Sequence, residues 1–273
     1  NLPEMINVPK ILDFKIIYTD IEKISSSMSI DQIINKINHK TAAILLTNMF
    51  NSIEHSLEIK KICNERDVTL IEDNAIYFDN FYKSNNLKKY SGSIGDISIS
   101  SFGMMKNLSC LYGGSISTNS SGLNDFSNNI INNLRPFPIT LLVKQIIIYL
   151  ILKLLSNRLL YYFVFFKIIE KSYFKNQRLL SLFYPSLKFR IKEKFPNYYL
   201  SKISRISLNI IYFQLNNNIR RVKNHNARKE NNKIYYNKLS NLKKIKLIKI
   251  KDFDFQNFLE FPILVDDKNS LIK

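Results

Sequence analysis

The chain has 273 residues, of which 45% are hydrophobic, and its formal net charge is +18. This hydrophobic content allows a sizeable core and excludes a chain that is disordered throughout. Its two cysteines, Cys63 and Cys110, are too few for a disulfide framework or a four-thiolate zinc site. We therefore expect a reducing, cytoplasmic location.

The positive charge is concentrated in one segment, which argues against a nucleic-acid-binding protein. Residues 138–251 hold 25 basic and 3 acidic groups, whereas residues 1–137 hold 13 and 14. Only 9 of the 40 basic residues are Arg, the side chain best suited to reading phosphates and bases. We expect no nucleic-acid partner.

Glycine is confined to one short window. All six glycines lie between Gly92 and Gly122. Glycine permits tight turns and close backbone approach, so its retention in this window alone indicates a candidate site there.

The predicted elements of the first 120 residues alternate between strands and helices. In chain order they are a short strand at Asp13–Tyr18, a helix capped by Ser29 and ending at Ile37, a buried strand at Ala42–Leu46, a helix from a capping pair Asn51 and Glu54 to Glu65, and strands at Val68–Ile71, Ile97–Ser101 and Gly114–Thr118. This alternation is typical of an α/β fold with a mostly parallel sheet. In such sheets ligands bind at the carboxyl ends of the strands.

The second half of the chain has a different pattern. From Phe137 an apolar, aromatic stretch predicts one or two hydrophobic helices, and its longest uncharged runs of eight residues are too short to cross a bilayer. One long helix or a broken pair is predicted from Tyr198 to Leu239. Basic strand-like residues at Leu242–Ile250 and a strand at Phe258–Val265 follow.

The stretch from Val68 to Asn119 contains the residues with chemical potential. It places Asp73 at a strand end, Ser101 at the end of a second strand, Lys106 five residues later, and Gly113–Gly114 before a third strand. This set suits pyridoxal phosphate (PLP). A lysine amine can bind the cofactor's aldehyde, a carboxylate can keep its pyridine nitrogen protonated, and a serine can donate to its phosphate.

Taken in order, the motifs IEDNA, GSIGDISISSF, KNL and GGSIST resemble the DegT/DnrJ/StrS family of PLP-dependent sugar aminotransferases. The resemblance implies the aspartate-aminotransferase-like fold (fold type I) and a homodimer. It also implies amino transfer from an amino acid, usually glutamate, to a keto sugar nucleotide in surface polysaccharide or lipopolysaccharide biosynthesis. The family's cofactor-bearing lysine falls on Lys106, its pyridine-nitrogen aspartate on Asp73 and its phosphate-binding serine on Ser101. Because the dehydratases of the family typically replace this lysine, Lys106 favours transamination.

Several positions depart from the family pattern. Ile76 stands where a glutamine or histidine is usual, and Asn48 and Asn51 replace a histidine and a glycine. The family's N-terminal segment has no counterpart before Asn1, so we expect an N-terminally truncated large domain. The alternative function is that of a catalytically impaired family remnant that binds a partner or a membrane surface.

The resemblance divides the chain into three parts. These are a partial PLP-binding large domain at 1–121, a hydrophobic and basic helical insertion at 122–199, and a partial small domain at 200–273. Residues 138–199 either contact an anionic bilayer peripherally, at the inner membrane surface, or form a helical layer packed on protein. The three histidines, His39, His55 and His225, are too scattered to predict a metal site.

Overall fold

The computed structural model describes residues 4–23, 25–49, 53–78, 81–84, 87–104, 106–168, 170, 193–217, 219–249, 260–268 and 271. The chain divides into two compact units. The first comprises the residues up to Ile17 and those from Leu134 to Lys202; the second comprises Tyr18–Asn133 and the residues from Ile203 onward. The three-part division predicted from the sequence, at 1–121, 122–199 and 200–273, stays a prediction.

The second unit is built on a four-stranded sheet. Its strands lie in the order β1 (Ala43–Thr47), β2 (Thr69–Asp73), β5 (Ile97–Ser101) and β6 (Gly114–Thr118). The first three are parallel, and β6 is antiparallel to β5. A hairpin of β3 (Phe81–Ser84) and β4 (Leu87–Tyr90) lies between β2 and β5 in the chain. The prediction of an α/β fold with a mostly parallel sheet is confirmed.

Alternation along the strands separates a buried face of this sheet from the face that carries Asp73. Leu46 and Leu70 lie on the buried face, where they join Ile33, Ile59 and Cys63 in one apolar core. On the other face the register aligns Asp73 with Ile99 and Ile99 with Ile116. Because side chains alternate along a strand, Ser101 shares that face with Ile99.

Two helices cover the buried face. Helix α2 (Ile30–Lys36) begins at Ser29, whose hydroxyl accepts the N–H of Gln32 as the sequence predicts. Helix α3 (Ile53–Glu65) ends at the predicted residue. The capping pair proposed for Asn51 and Glu54 lies outside the described residues and side chains.

The strand predicted at Asp13–Tyr18 is wrong. After α1 (Glu4–Ile11) the chain turns at Asp13, which has a φ of +61°. The following residues have no regular structure, and Phe14 and Tyr18 are more than half exposed. An apolar run of this length becomes a strand only beside another strand, and none of the described strands pairs with it.

The first unit contains the hydrophobic helices that the sequence predicts. These are α5 (Ile139–Leu155) and α6 (Arg158–Leu160), which continues into a π-helical turn at Tyr161–Phe165. Short strands β7 (Arg135–Pro136) and β8 (Ser201–Lys202) pair in parallel in the same unit. Among the described residues no single helix is long and apolar enough to cross a membrane. The helices Ile139–Leu155 and Arg158–Ile168 reach the length and composition of a membrane span only when taken together, and they are bent by 85° relative to each other.

The remaining elements belong to the second unit. Helix α4 (Ser121–Asn133) follows β6, and α7 (Arg205–Asn216) and α8 (Ile219–Leu239) form the broken pair that was one of the two predicted alternatives. The pair begins at Arg205 rather than at Tyr198, because Ser204 caps it by accepting the N–H of Ser207. Strands β9 (Ile245–Leu247) and β10 (Ile263–Val265) are antiparallel and shorter than predicted.

Candidate functional site

Asp73 is the last residue of β2 and lies at the carboxyl edge of the sheet. It is 6% exposed, and its Oδ1 accepts the backbone N–H of Ala75 at 3.0 Å. Burial raises the pKa of Asp73, against the opposing effects of the Ala75 hydrogen bond, the positive charge of Lys106 and a hydrogen bond from the Thr47 hydroxyl. This carboxylate is therefore ready to stabilise a buried positive charge.

Lys106 lies in the turn that follows β5, where its backbone N–H donates to the carbonyl of Gly103 at 3.3 Å. Its side chain is half-buried. Burial lowers the pKa of Lys106, and the negative charges of Asp73 and Glu260 oppose that shift. The structure thus brings Lys106 and Asp73 close enough for each charge to act on the other. An amine with a lowered pKa is a better nucleophile at neutral pH.

Ser101 is the last residue of β5 and is half-buried. Its Oγ accepts the N–H of Gly103 at 3.5 Å, and it pairs with Gly114 across the β5–β6 ladder. The hydroxyl therefore lies on the same face of the sheet as Asp73, at the start of the turn that leads to Lys106. The individual roles assigned to Asp73, Ser101 and Lys106 stay predictions.

A buried polar network, which no sequence pattern predicted, supports β2 from the face opposite Asp73. Glu72 is fully buried and accepts the side-chain amide of Asn48 at 2.9 Å and the backbone N–H groups of Ile94 and Gly95 at 2.8 and 2.6 Å. A Cβ at Gly95 would lie 2.8 Å from the carbonyl oxygen of Leu70. The loop that contains Ile94 and Gly95 is thus hydrogen-bonded to β2, the strand that ends in Asp73.

Three further residues hold the loop after Lys106 and were also missed. Asn107 donates its side-chain amide to the carbonyls of Phe78 and Ile76 at 3.0 and 3.4 Å, and its Oδ1 accepts a guanidinium N–H of Arg228. Gln214 of α7 exchanges hydrogen bonds with the backbone of Ser109. Of the three, only Asn107 could be singled out from the sequence, because it directly follows Lys106. Gln214 and Arg228 lie more than 100 positions from the residues that they contact.

Comparison with solved structures shows the fold. The chain matches a DegT DnrJ EryC1 StrS aminotransferase from Brucella abortus with a TM-score of 0.57 and 14% identity, and the match covers 94% of this chain and 55% of that one. It also matches the E. coli GDP-4-keto-6-deoxy-D-mannose-3-dehydratase with bound hydrated PLP, with a TM-score of 0.56, 16% identity and 92% and 54% coverage. The fold is that of the PLP-dependent transferases.

The sequence comparisons show a similarity to one family. Residues 7–133 match the model of the DegT/DnrJ/EryC1/StrS aminotransferase family. A GDP-perosamine synthase of Escherichia coli O157:H7 is 33% identical over 109 residues, which are 40% of this chain and 29% of that protein. The chain is thus similar to this family over residues 7–133, a little under half of its length. It spans little more than half of the two solved chains and less than a third of the curated relative.

Proposed function

We propose that this chain contributes the lysine-bearing part of a PLP site and acts in amino transfer to a keto sugar nucleotide. The observation that carries the proposal is that a buried carboxylate, Asp73, and a half-buried amine, Lys106, lie close enough at the carboxyl edge of a mostly parallel sheet for each charge to act on the other. A structural ion pair on the surface would not require that both groups lose water. Perturbed titrations of this kind cluster at functional sites.

The chemistry of these side chains fits PLP. When bound, PLP supplies an aldehyde for an amine and a protonated pyridine ring that withdraws electrons from the substrate carbon. Asp73 would hold the proton at the ring nitrogen, because a positive charge there favours the ionised form of its buried carboxylate. Ser101 would donate to the phosphate. The lowered pKa of Lys106 keeps more of its amine neutral, so its Nζ would be available to bind the cofactor and to accept and return a proton.

The test is to titrate the protein with PLP, reduce it with borohydride and map the modified peptide. We expect one phosphopyridoxyl group, on Lys106. Lys106→Ala should abolish it, whereas the matched variant Lys40→Ala, at an exposed turn position, should retain it. Labelling spread over several surface lysines, or none at Lys106 in folded wild-type protein, would overturn the proposed cofactor site.

For the whole reaction we propose a keto sugar nucleotide as acceptor, glutamate as donor and a cytoplasmic homodimer as the working form, within surface polysaccharide or lipopolysaccharide biosynthesis. The similarity to a GDP-perosamine synthase supports this substrate class. The glutamate half-reaction can be measured alone: the PLP-loaded protein should release 2-oxoglutarate stoichiometrically and Lys106→Ala should not. Analytical ultracentrifugation of the same protein tests the dimer.

We also propose peripheral contact with the inner membrane surface through residues 138–199. Exposed apolar side chains on the described helices support it, among them Ile139 and Leu154, which are 72% and 64% exposed. Residues 138–168 carry four basic and no acidic groups, which suits an anionic bilayer. Flotation with vesicles rich in phosphatidylglycerol should recover the wild-type protein and not a deletion of 138–199. Equal recovery of both would contradict the membrane contact and favour the alternative, in which residues 138–199 form a helical layer packed on protein.

A further inference from the structure

The loop that begins at Lys106 is fastened to two separate parts of the second unit, and one side chain joins them. The amide of Asn107 donates to the carbonyls of Ile76 and Phe78, which lie in the turn directly after Asp73. The carbonyl oxygen of the same side chain accepts from Arg228, near the middle of α8. Asn107 thus links the Asp73 turn, the Lys106 loop and α8.

Helix α7 holds the far end of the loop. Gln214 donates its Nε2 to the carbonyl of Ser109 at 2.5 Å and accepts the N–H of Ser109 at 3.4 Å. Ile211, one turn earlier, packs with Leu108 and Cys110 in an apolar cluster. The backbone on the carboxyl side of Lys106 is therefore fixed over several consecutive residues.

The Arg228 contact differs from the others because it is the only charge-assisted hydrogen bond in this set. Such bonds are about twice as strong as neutral ones. Both partners are half-buried, which limits screening by water. Without it the side chain of Asn107 would keep only its hydrogen bonds to the carbonyls of Ile76 and Phe78, and the loop would lose its link to α8.

We propose that Asn107 and Arg228 are positioning residues, which hold the Lys106 side chain toward Asp73, and that α8 is thereby part of the cofactor site. The proposal rests on the proposed PLP function for its consequence, but the arrangement itself can be measured without cofactor. Neither residue is assigned a contact with substrate or cofactor.

The first experiment uses the protein without PLP. Acetic anhydride modifies neutral amines, so the rate of Lys106 acetylation as a function of pH, followed by peptide mass spectrometry, reports the pKa of Lys106. In Arg228→Met the loop loosens and the amine gains water, so its apparent pKa should move up toward the ordinary lysine value. The matched control, Lys223→Met, removes an exposed charge from the same helix and should leave the profile unchanged.

The second experiment measures PLP affinity by absorbance titration. We expect Arg228→Met to weaken binding about tenfold, a change of the size typical for coupled neighbours. Arg228→Lys keeps a cation and should recover part of the loss. Asn107→Ala combined with Arg228→Met should be little worse than either single variant, because both remove the same link.

The outcomes separate this inference from the proposed function. If Arg228→Met lowers the thermal midpoint but leaves the Lys106 profile and the PLP affinity unchanged well below that midpoint, Arg228 has only a packing role and the inference is wrong. If wild-type protein is not labelled by PLP and borohydride at Lys106, the proposed function fails. The acetylation profiles still decide the positioning role in that case.

Discussion

The charges of Asp73 and Lys106 each favour the ionised form of the other side chain. Burial raises the pKa of Asp73 and lowers that of Lys106, so it disfavours the charged form of both, and their attraction offsets part of that effect. For Asp73 the folded pKa lies above the unfolded one, so its contribution to stability falls as the pH rises between the two values. For Lys106 the folded pKa lies below 10.5, so its contribution rises as the pH increases toward 10.5.

A comparison of two variants tests this mutual dependence. Asp73 and Glu260 both raise the pKa of Lys106, and Asp73 has the larger effect. Asp73→Asn therefore removes the stronger influence, and Glu260→Gln removes the weaker one, at an exposed position. The pKa of Lys106 should fall in both variants, and further in Asp73→Asn. Dimethylation of the lysines with ¹³C-formaldehyde and titration of the methyl signals by NMR would measure it. An equal fall, or a larger one in Glu260→Gln, would contradict the arrangement described for Lys106.

At this scale the sequence suggested the candidate residues Asp73, Ser101 and Lys106, but not the side chains that hold them in place. The order of Asp73, Ser101 and Lys106 along the chain was sufficient to suggest PLP, because each follows or ends a recognisable strand. Arg228 and Gln214 were not predictable, since their partners Asn107 and Ser109 lie 121 and 105 positions away. Glu72 directly precedes Asp73 in the IEDNA motif, and alternation along β2 directs it to the opposite face of the sheet.

At the scale of elements, Gly114 decides how closely β6 approaches β5. Its partner in the ladder is Ser101, and a Cβ at Gly114 would lie 2.7 Å from the carbonyl oxygen of Ser100. That oxygen belongs to the backbone and cannot rotate away. Any side chain at this position must push the two strands apart beside the candidate phosphate-binding serine.

Gly114→Ala should therefore destabilise the fold by about 1–3 kcal/mol, the usual cost of overpacking. Gly122→Ala is the matched control, because a Cβ there meets only the Ser120 hydroxyl at 4.0 Å, within the first turn of α4. Alanine in a helix should raise stability by about 0.5–1 kcal/mol. Urea unfolding followed by circular dichroism compares the two. Opposite signs are expected; a neutral Gly114→Ala would show that β6 shifts freely.

The elements that the sequence predicted best are those whose pattern reflects burial on one face. Both β5 and β6 begin and end at the predicted residues, because Ile and Ser alternate along β5 and glycine begins β6. The segment Asp13–Tyr18, predicted as a strand, pairs with none of the described strands. The start of α7 was misplaced by several residues because its cap, Ser204, was not recognised.

At the scale of the second unit, two of the apolar cores each contain one cysteine. Cys63 is fully buried between α3 and the sheet, and Cys110 is 4% exposed beside Phe102 and Ile211. Burial raises the pKa of Cys63 to about 11 and raises that of Cys110 as well. At pH 8 only about one Cys63 thiol in a thousand would be ionised, so both thiols should react with iodoacetamide only after unfolding.

The two thiols therefore report whether the cores unfold together. The backbone N–H of Phe102 donates to Gly113 and that of Cys110 to Phe102, so the second core is fastened to the end of β5, while α7 and α8 hold it from the other side. We expect both thiols to become reactive at the same urea concentration, measured by mass spectrometry after brief alkylation, and at the midpoint of the circular dichroism transition. Exposure of Cys110 at lower urea would contradict a single cooperative unit. In Arg228→Met that earlier exposure is the expected result, because one of the attachments is gone while the core around Cys63 is untouched.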